Sequence, residues 1–60
     1  MEDKFVNIDF DWIVGETEMA ILFLADDEEL WIPRSVIKDV WEKDQVVEIE
    51  TWFAEKKGWI

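Results

Sequence analysis

The stretch Phe5-Val6-Asn7-Ile8-Asp9-Phe10-Asp11-Trp12-Ile13-Val14 alternates. Val6, Ile8, Phe10, Trp12 and Val14 fall on one side, and Asn7, Asp9 and Asp11 on the other. Period two over ten residues is the pattern of a half-buried strand, because successive side chains leave a strand on opposite faces. It predicts one strand with Trp12 in the core. Phe5 and Ile13 interrupt the polar side only at its ends. Gly15-Glu16-Thr17 then reads as a turn.

Working outward, Glu18-Met19-Ala20-Ile21-Leu22-Phe23-Leu24-Ala25 is almost continuously apolar. Its length and side chains favour a central strand buried on both faces, with a helix left open by Ala20, Leu22 and Leu24. Asp26-Asp27-Glu28-Glu29 reads as a hairpin tip and Leu30-Trp31-Ile32 as the returning strand. Pro33, lacking an N–H, stops the ladder. Ser35 is placed to cap a short helical turn from Val36 to about Trp41, with Val36, Ile37 and Val40 at helical spacing. Lys43-Asp44-Gln45 reads as a loop. Val46 to Glu50 reads as a fourth strand, Val47 and Ile49 opposing Glu48 and Glu50. Thr51 reads as the cap of a last helix over 52–57. Lys56 and Lys57 suit its dipole, Gly58 its left-handed end, and Trp59 folds back on it.

The fold class expected is α+β, mostly β. One domain of 60 residues is a small curled antiparallel sheet of about four strands, half-barrel-like, with a short C-terminal helix. Trp31, Trp52 and Trp59 are assigned to the core around that helix. Trp41, between Asp39-Val40 and Glu42, reads either as an exposed aromatic or as a lid over the open end of the half-barrel.

A chain of this size buries only about 60% of its unfolded surface. It has no cysteine for a disulfide, and no cysteine or histidine for zinc. Five Trp and four Phe must supply the core. No metal or other cofactor is expected: Asp26–Glu29 lacks the spaced ligands and central glycine of a calcium loop. No catalytic residue is expected either, since Ser35 is the lone serine and no histidine stands ready as its base. The acidic start Met1-Glu2-Asp3-Lys4 is not followed by a signal-peptide apolar block, and no run approaches the roughly 20 apolar residues of a membrane helix. Cytoplasmic residence away from membranes is the expectation.

Sixteen acidic residues face six basic ones, a net charge of −10. That sign opposes direct contact with a nucleic-acid backbone and favours a basic protein partner. The carboxylates placed outward are Asp9 and Asp11 on the first strand, Asp26, Asp27, Glu28 and Glu29 at the hairpin tip, and Asp39, Glu42 and Asp44 around Trp41. These ten residues form the candidate partner-binding set. Alternate strand residues stand about 6.8 Å apart on one face, whereas a duplex strand carries one charge per about 3.4 Å of axis. The plainer reading is a solvated face that keeps a Trp-rich chain soluble. However, the charge exceeds the roughly 2–8 that solubility of a small domain asks for. Arg34 is expected to pair with a carboxylate or cover Trp31. Stacking of single-stranded nucleic acid on the tryptophans is opposed by the charge.

The runs Trp31-Ile32-Pro33-Arg34-Ser35-Val36-Ile37 and Trp52-Phe53-Ala54-Glu55-Lys56-Lys57-Gly58, with Ala20-Ile21-Leu22-Phe23-Leu24, resemble a group of small acidic proteins. These are largely uncharacterised, encoded in phage and prophage regions, and carry a Trp-Ile-Pro-Lys/Arg-Ser motif. The resemblance covers about a third of the chain. It implies a viral origin and residence in a bacterial host's cytoplasm. It also implies an inhibitor or decoy of the anti-CRISPR kind, occupying the nucleic-acid-binding surface of a host protein. The alternative is a protein-interaction or scaffold module accessory to viral DNA replication or recombination, binding through an apolar patch or a sheet edge. A monomer or weak homodimer fits either expectation.

Overall fold

The computed structural model describes residues 4–60; Met1, Glu2 and Asp3, part of the acidic start read above, lie outside the described residues. The described residues are mostly β, with strands β1 (Phe5–Asp9), β2 (Trp12–Glu16), β3 (Ala20–Ala25), β4 (Glu28–Pro33), β5 (Ile37–Trp41) and β6 (Val46–Glu50). A 3-10 turn, Arg34–Val36, leads into β5, and one helix, α1 (Thr51–Lys57), follows β6. The strands form two three-stranded antiparallel sheets, ordered β1-β6-β5 and β2-β3-β4. Six strands in two sheets replace the single curled sheet of four.

The long alternating stretch is where the two descriptions part. It is two strands in two sheets, handed over at Phe10-Asp11. The Phe10 N–H donates to the Gln45 carbonyl in the β5–β6 turn at 2.9 Å, whereas the next N–H, of Asp11, donates to Leu24 of the other sheet at 2.7 Å. Phe10 keeps the inward side of Val6 and Ile8, but the parity then flips. Ile13, not Trp12, packs on the core. Trp12 is 62% exposed, so the expectation that it is buried is overturned. The ladder also shifts between Ile13 and Gly15, leaving Val14 as the extra residue of a bulge and exposed.

Other boundaries move for identifiable reasons. Gly15 and Glu16 remain in β2, and the turn is 17–19. There the Thr17 N–H donates to the Ala20 carbonyl, and the Thr17 hydroxyl oxygen accepts from the Ala20 N–H at 3.0 Å. The hairpin tip is only Asp26-Asp27, both left-handed (φ 50° and 65°), and Glu28 and Glu29 already belong to β4. This is the mirror-image turn whose twist suits a two-residue hairpin. Val36 to Trp41 is not helical. Val36 ends the 3-10 turn, which has no side-chain cap, and β5 begins at Ile37. β-branched Ile37 and Val40 suit a strand, and β6 offers them a ladder. Helix α1 begins at Thr51 itself, with Glu50 before it, and the Thr51 N–H donates to the Lys4 carbonyl.

The core lies between the inward faces. Val6, Ile8, Ile37, Val40, Val47 and Ile49 come from one sheet and Ile13, Ile21, Phe23, Ala25, Leu30 and Ile32 from the other. Phe10, Val36, Phe53, Ala54 and Trp59 complete it. The end of α1 follows the sequence expectation. Gly58 is left-handed (φ 77°), its N–H donates to the Glu55 carbonyl, and the Trp59 N–H donates to Ala54. Trp59 meets the Phe53 ring edge-on at 5.7 Å, the apolar contact that accompanies such a helix end. Of the three tryptophans assigned to the core, only Trp59 packs there; Trp31 (51%) and Trp52 (53%) are exposed.

Candidate protein-binding surface

The register of the β1-β6-β5 sheet fixes which side chains share its outward face. Val6↔Ile49↔Ile37 and Ile8↔Val47↔Val40 point inward. Their neighbours therefore point outward in rows: Phe5 beside Glu50, Asn7 beside Glu48 beside Asp39, and Asp9 beside Val46 beside Trp41. The face carries Asp9, Asp39, Glu48 and Glu50, with Trp41 at its edge. Trp41 is 39% exposed, which answers the open question of its place: it is an exposed aromatic beside carboxylates.

One corner of this face is basic. Lys4 and Lys38 stand over the Phe5 ring at 5.6 and 4.9 Å, an attraction between cation and ring face. Away from that corner the carboxylates stand unneutralised. Among the described residues the one ion pair joins Arg34 to Glu16 at 3.0 Å, on the other sheet. Arg34 thus pairs with a carboxylate, and its Nε also donates to the Thr17 carbonyl at 2.9 Å. Asp39 lies directly opposite Glu48, an arrangement of like charges that destabilises a sheet.

All ten residues of the candidate set are exposed. Most of them follow a band that starts on this face at Asp9 and Asp39 and continues around one end of the molecule through Asp11, Asp26, Glu28 and Glu42. Asp9, Asp26 and Glu28 line one open hollow with Asn7 and Trp59. Asp11 and Glu42 line another with Phe10 and Gln45. Asp11 joins the two groups: its carboxylate accepts from the Asp26 N–H at 3.3 Å, and its carbonyl accepts from the Gln45 side chain. Asp27 sits at the hairpin tip, Asp44 in the β5–β6 turn, and Glu29 faces outward on the other sheet opposite Leu24. Glu29 therefore does not belong to the acidic face. Glu48 and Glu50 do belong to it and were not in the set, although the alternation of 46–50 already placed them opposite Val47 and Ile49.

Among the described residues no three carboxylates converge as ligands of a metal ion, and no helix is long and apolar enough to cross a membrane. No family model, curated protein or solved structure matches the chain.

Proposed function

We propose that this protein is a non-enzymatic acidic binding module that covers a basic surface of a partner protein, of the kind that otherwise holds a nucleic-acid backbone. The observation that carries the reading is the outward face of β1-β6-β5. Asp9, Asp39 and Glu48 share it away from the basic corner and without an ion-pair partner among the described residues, with Trp41 beside them. Holding Asp39 against Glu48 costs stability in the free protein, and a cationic partner relieves it. An exposed tryptophan beside charged groups has the character of an interface anchor.

The face matches a groove by charge density and not phosphate by phosphate. Strand neighbours stand about 4.8 Å apart and alternate residues about 6.8 Å apart, a coarser grid than a duplex strand. The resemblance of Trp31–Ile37 and Trp52–Gly58 to phage-type proteins makes an inhibitor or decoy in a bacterial cytoplasm the biological form of this reading. Capture from nuclease-treated bacterial lysate tests it. A nucleic-acid-binding protein should be retained, released by moderate salt and displaced by duplex DNA. The triple variant Asp9→Lys, Asp39→Lys, Glu48→Lys should lose it. Undiminished capture by the charge-reversed variant refutes the proposal.

A further inference from the structure

We propose that the outward face of the β2-β3-β4 sheet is a second docking surface, whose occupant is an apolar segment of a partner protein that carries Arg or Lys. The inward residues of this sheet are Ile13, Ile21, Phe23, Leu30 and Ile32. The register therefore sets two rows that span all three strands on the other side, Trp12 beside Leu24 beside Glu29, and Gly15 beside Leu22 beside Trp31. Four of these six residues are large and apolar.

Leu22 makes this face more than a scatter of exposed side chains. It is only 8% exposed, yet it does not belong to the core between the sheets. Its cover comes from its own face, where Trp31 stands directly across from it. Gly15, on its other side, supplies no side chain, and a Cβ there would meet nothing within 4 Å. The face thus has an apolar floor at Leu22 and Leu24, an open notch at Gly15, and two exposed tryptophans placed diagonally across it. Large exposed aromatics around an apolar floor are what interfaces use as anchors.

Charge decides the occupant. Glu29 stands on the face, Asp11 and Asp27 lie at one end, and Glu18 lies in the turn at the other. Two cations approach it, but Arg34 is held by Glu16, and Lys43 lies by the hollow beside Trp12. A second copy would bring the same acidic rim and another net charge of −10 against this one, and like charges across an interface are costly. A cationic segment meets both features. Its apolar side chains enter the notch at Gly15 and cover Leu24 between the two tryptophans, and its Arg or Lys heads reach the tryptophan faces and the rim carboxylates. This surface lies on the other sheet from the acidic face, and Asp11 and Asp27 stand at the end where the two approach each other.

The test is an NMR titration of the full chain with two synthetic peptides of equal length, one alternating Leu and Lys, the other Leu and Glu. The Leu-Lys peptide should perturb Trp12, Leu22, Leu24 and Trp31. Gly15→Lys fills the notch without touching the fold, so it should keep the native melting temperature and bind at least about tenfold more weakly. Trp31→Ala should weaken binding similarly, and Glu55→Gln, an exposed substitution on α1, should not. The proposal is overturned if the perturbation centres on Asp39, Trp41 and Glu48. Equal binding of the Leu-Glu peptide overturns the charge argument and with it the occupant. Concentration-dependent perturbation of Trp12 and Trp31 without peptide assigns the face to a second copy instead.

Discussion

Turned outward, the β1-β6-β5 sheet presents Asn7, Asp9, Asp39, Glu48 and Glu50 with Phe5, Val46 and Trp41 among them, whereas the β2-β3-β4 sheet presents Trp12, Leu22, Leu24 and Trp31 with Glu29 as its one carboxylate in those rows. Turned inward, the two are nearly interchangeable layers of Val, Ile, Leu and Phe. Burial of the inward layers drives folding, since apolar area removed from water is the dominant favourable contribution. The outward layers are left free to differ, and each is unfavourable in its own way. One holds like charges together; the other leaves large apolar rings in water. Neither feature helps the isolated chain, which is why both are read as surfaces awaiting partners.

The largest test of this contrast compares neighbours on β4. Ile32 is fully buried and Trp31 half exposed. Ile32→Ala should cost about 2–5 kcal/mol in urea unfolding, through lost burial and the cavity left behind. Trp31→Ala should cost about 1 kcal/mol or less, despite removing the larger side chain. Equal losses would mean that Trp31 belongs to the core and that the sheet has no outer binding face.

Turn substitutions sharpen the comparison at an intermediate scale. Asp27→Gly relieves a left-handed non-glycine residue at the β3–β4 tip and should gain about 1 kcal/mol. Gln45, also left-handed (φ 57°), sits in the β5–β6 turn, but its side chain donates to the Asp11 carbonyl at the sheet crossover. Gln45→Gly should therefore gain nothing, because the relieved strain is offset by the lost hydrogen bond, worth about 1 kcal/mol. A clear gain there would show that the bond does not hold the two sheets together.

Smaller effects should come from charge. Glu48→Lys replaces the like-charge opposition to Asp39 with an attractive pair and should add about 0.2–1 kcal/mol, while weakening capture of a basic partner. Raising salt from roughly 0.02 to 0.2 M should raise the melting temperature by a few degrees, since the screening length falls below about 8 Å over that range. The gain should be smaller in Glu48→Lys. A melting temperature that falls with salt would contradict the picture of a self-repelling acidic face.

Much of this was legible in the residues themselves. The strands over 20–25 and 46–50, the returning strand around 30–32, the short last helix and its Gly58 end all follow from local chemistry. So does the exposure of the acidic set, because unpaired carboxylates do not enter a core. What local chemistry misread was parity and partnership. The alternation from Phe5 to Val14 continues unbroken through Asp11, yet the faces reverse there because the next hydrogen-bond acceptor belongs to Leu24 and not to the β5–β6 turn. Ile37 and Val40 stand at a spacing that suits a helix, but the neighbouring β6 gave them a ladder to join.

By itself, then, the sequence determined that this is a small, mostly β domain with a Trp- and Phe-rich apolar fraction and a strongly acidic exterior. These are consequences of composition and of periods two and three to four, which act between near neighbours. The tertiary structure alone decided that there are two sheets, that Asp9, Asp39, Glu48 and Glu50 share one outward face, and that Trp12 and Trp31 share the other. Those placements rest on strand pairings between residues far apart in the chain, and one crossover at Phe10-Asp11 is enough to exchange core for surface.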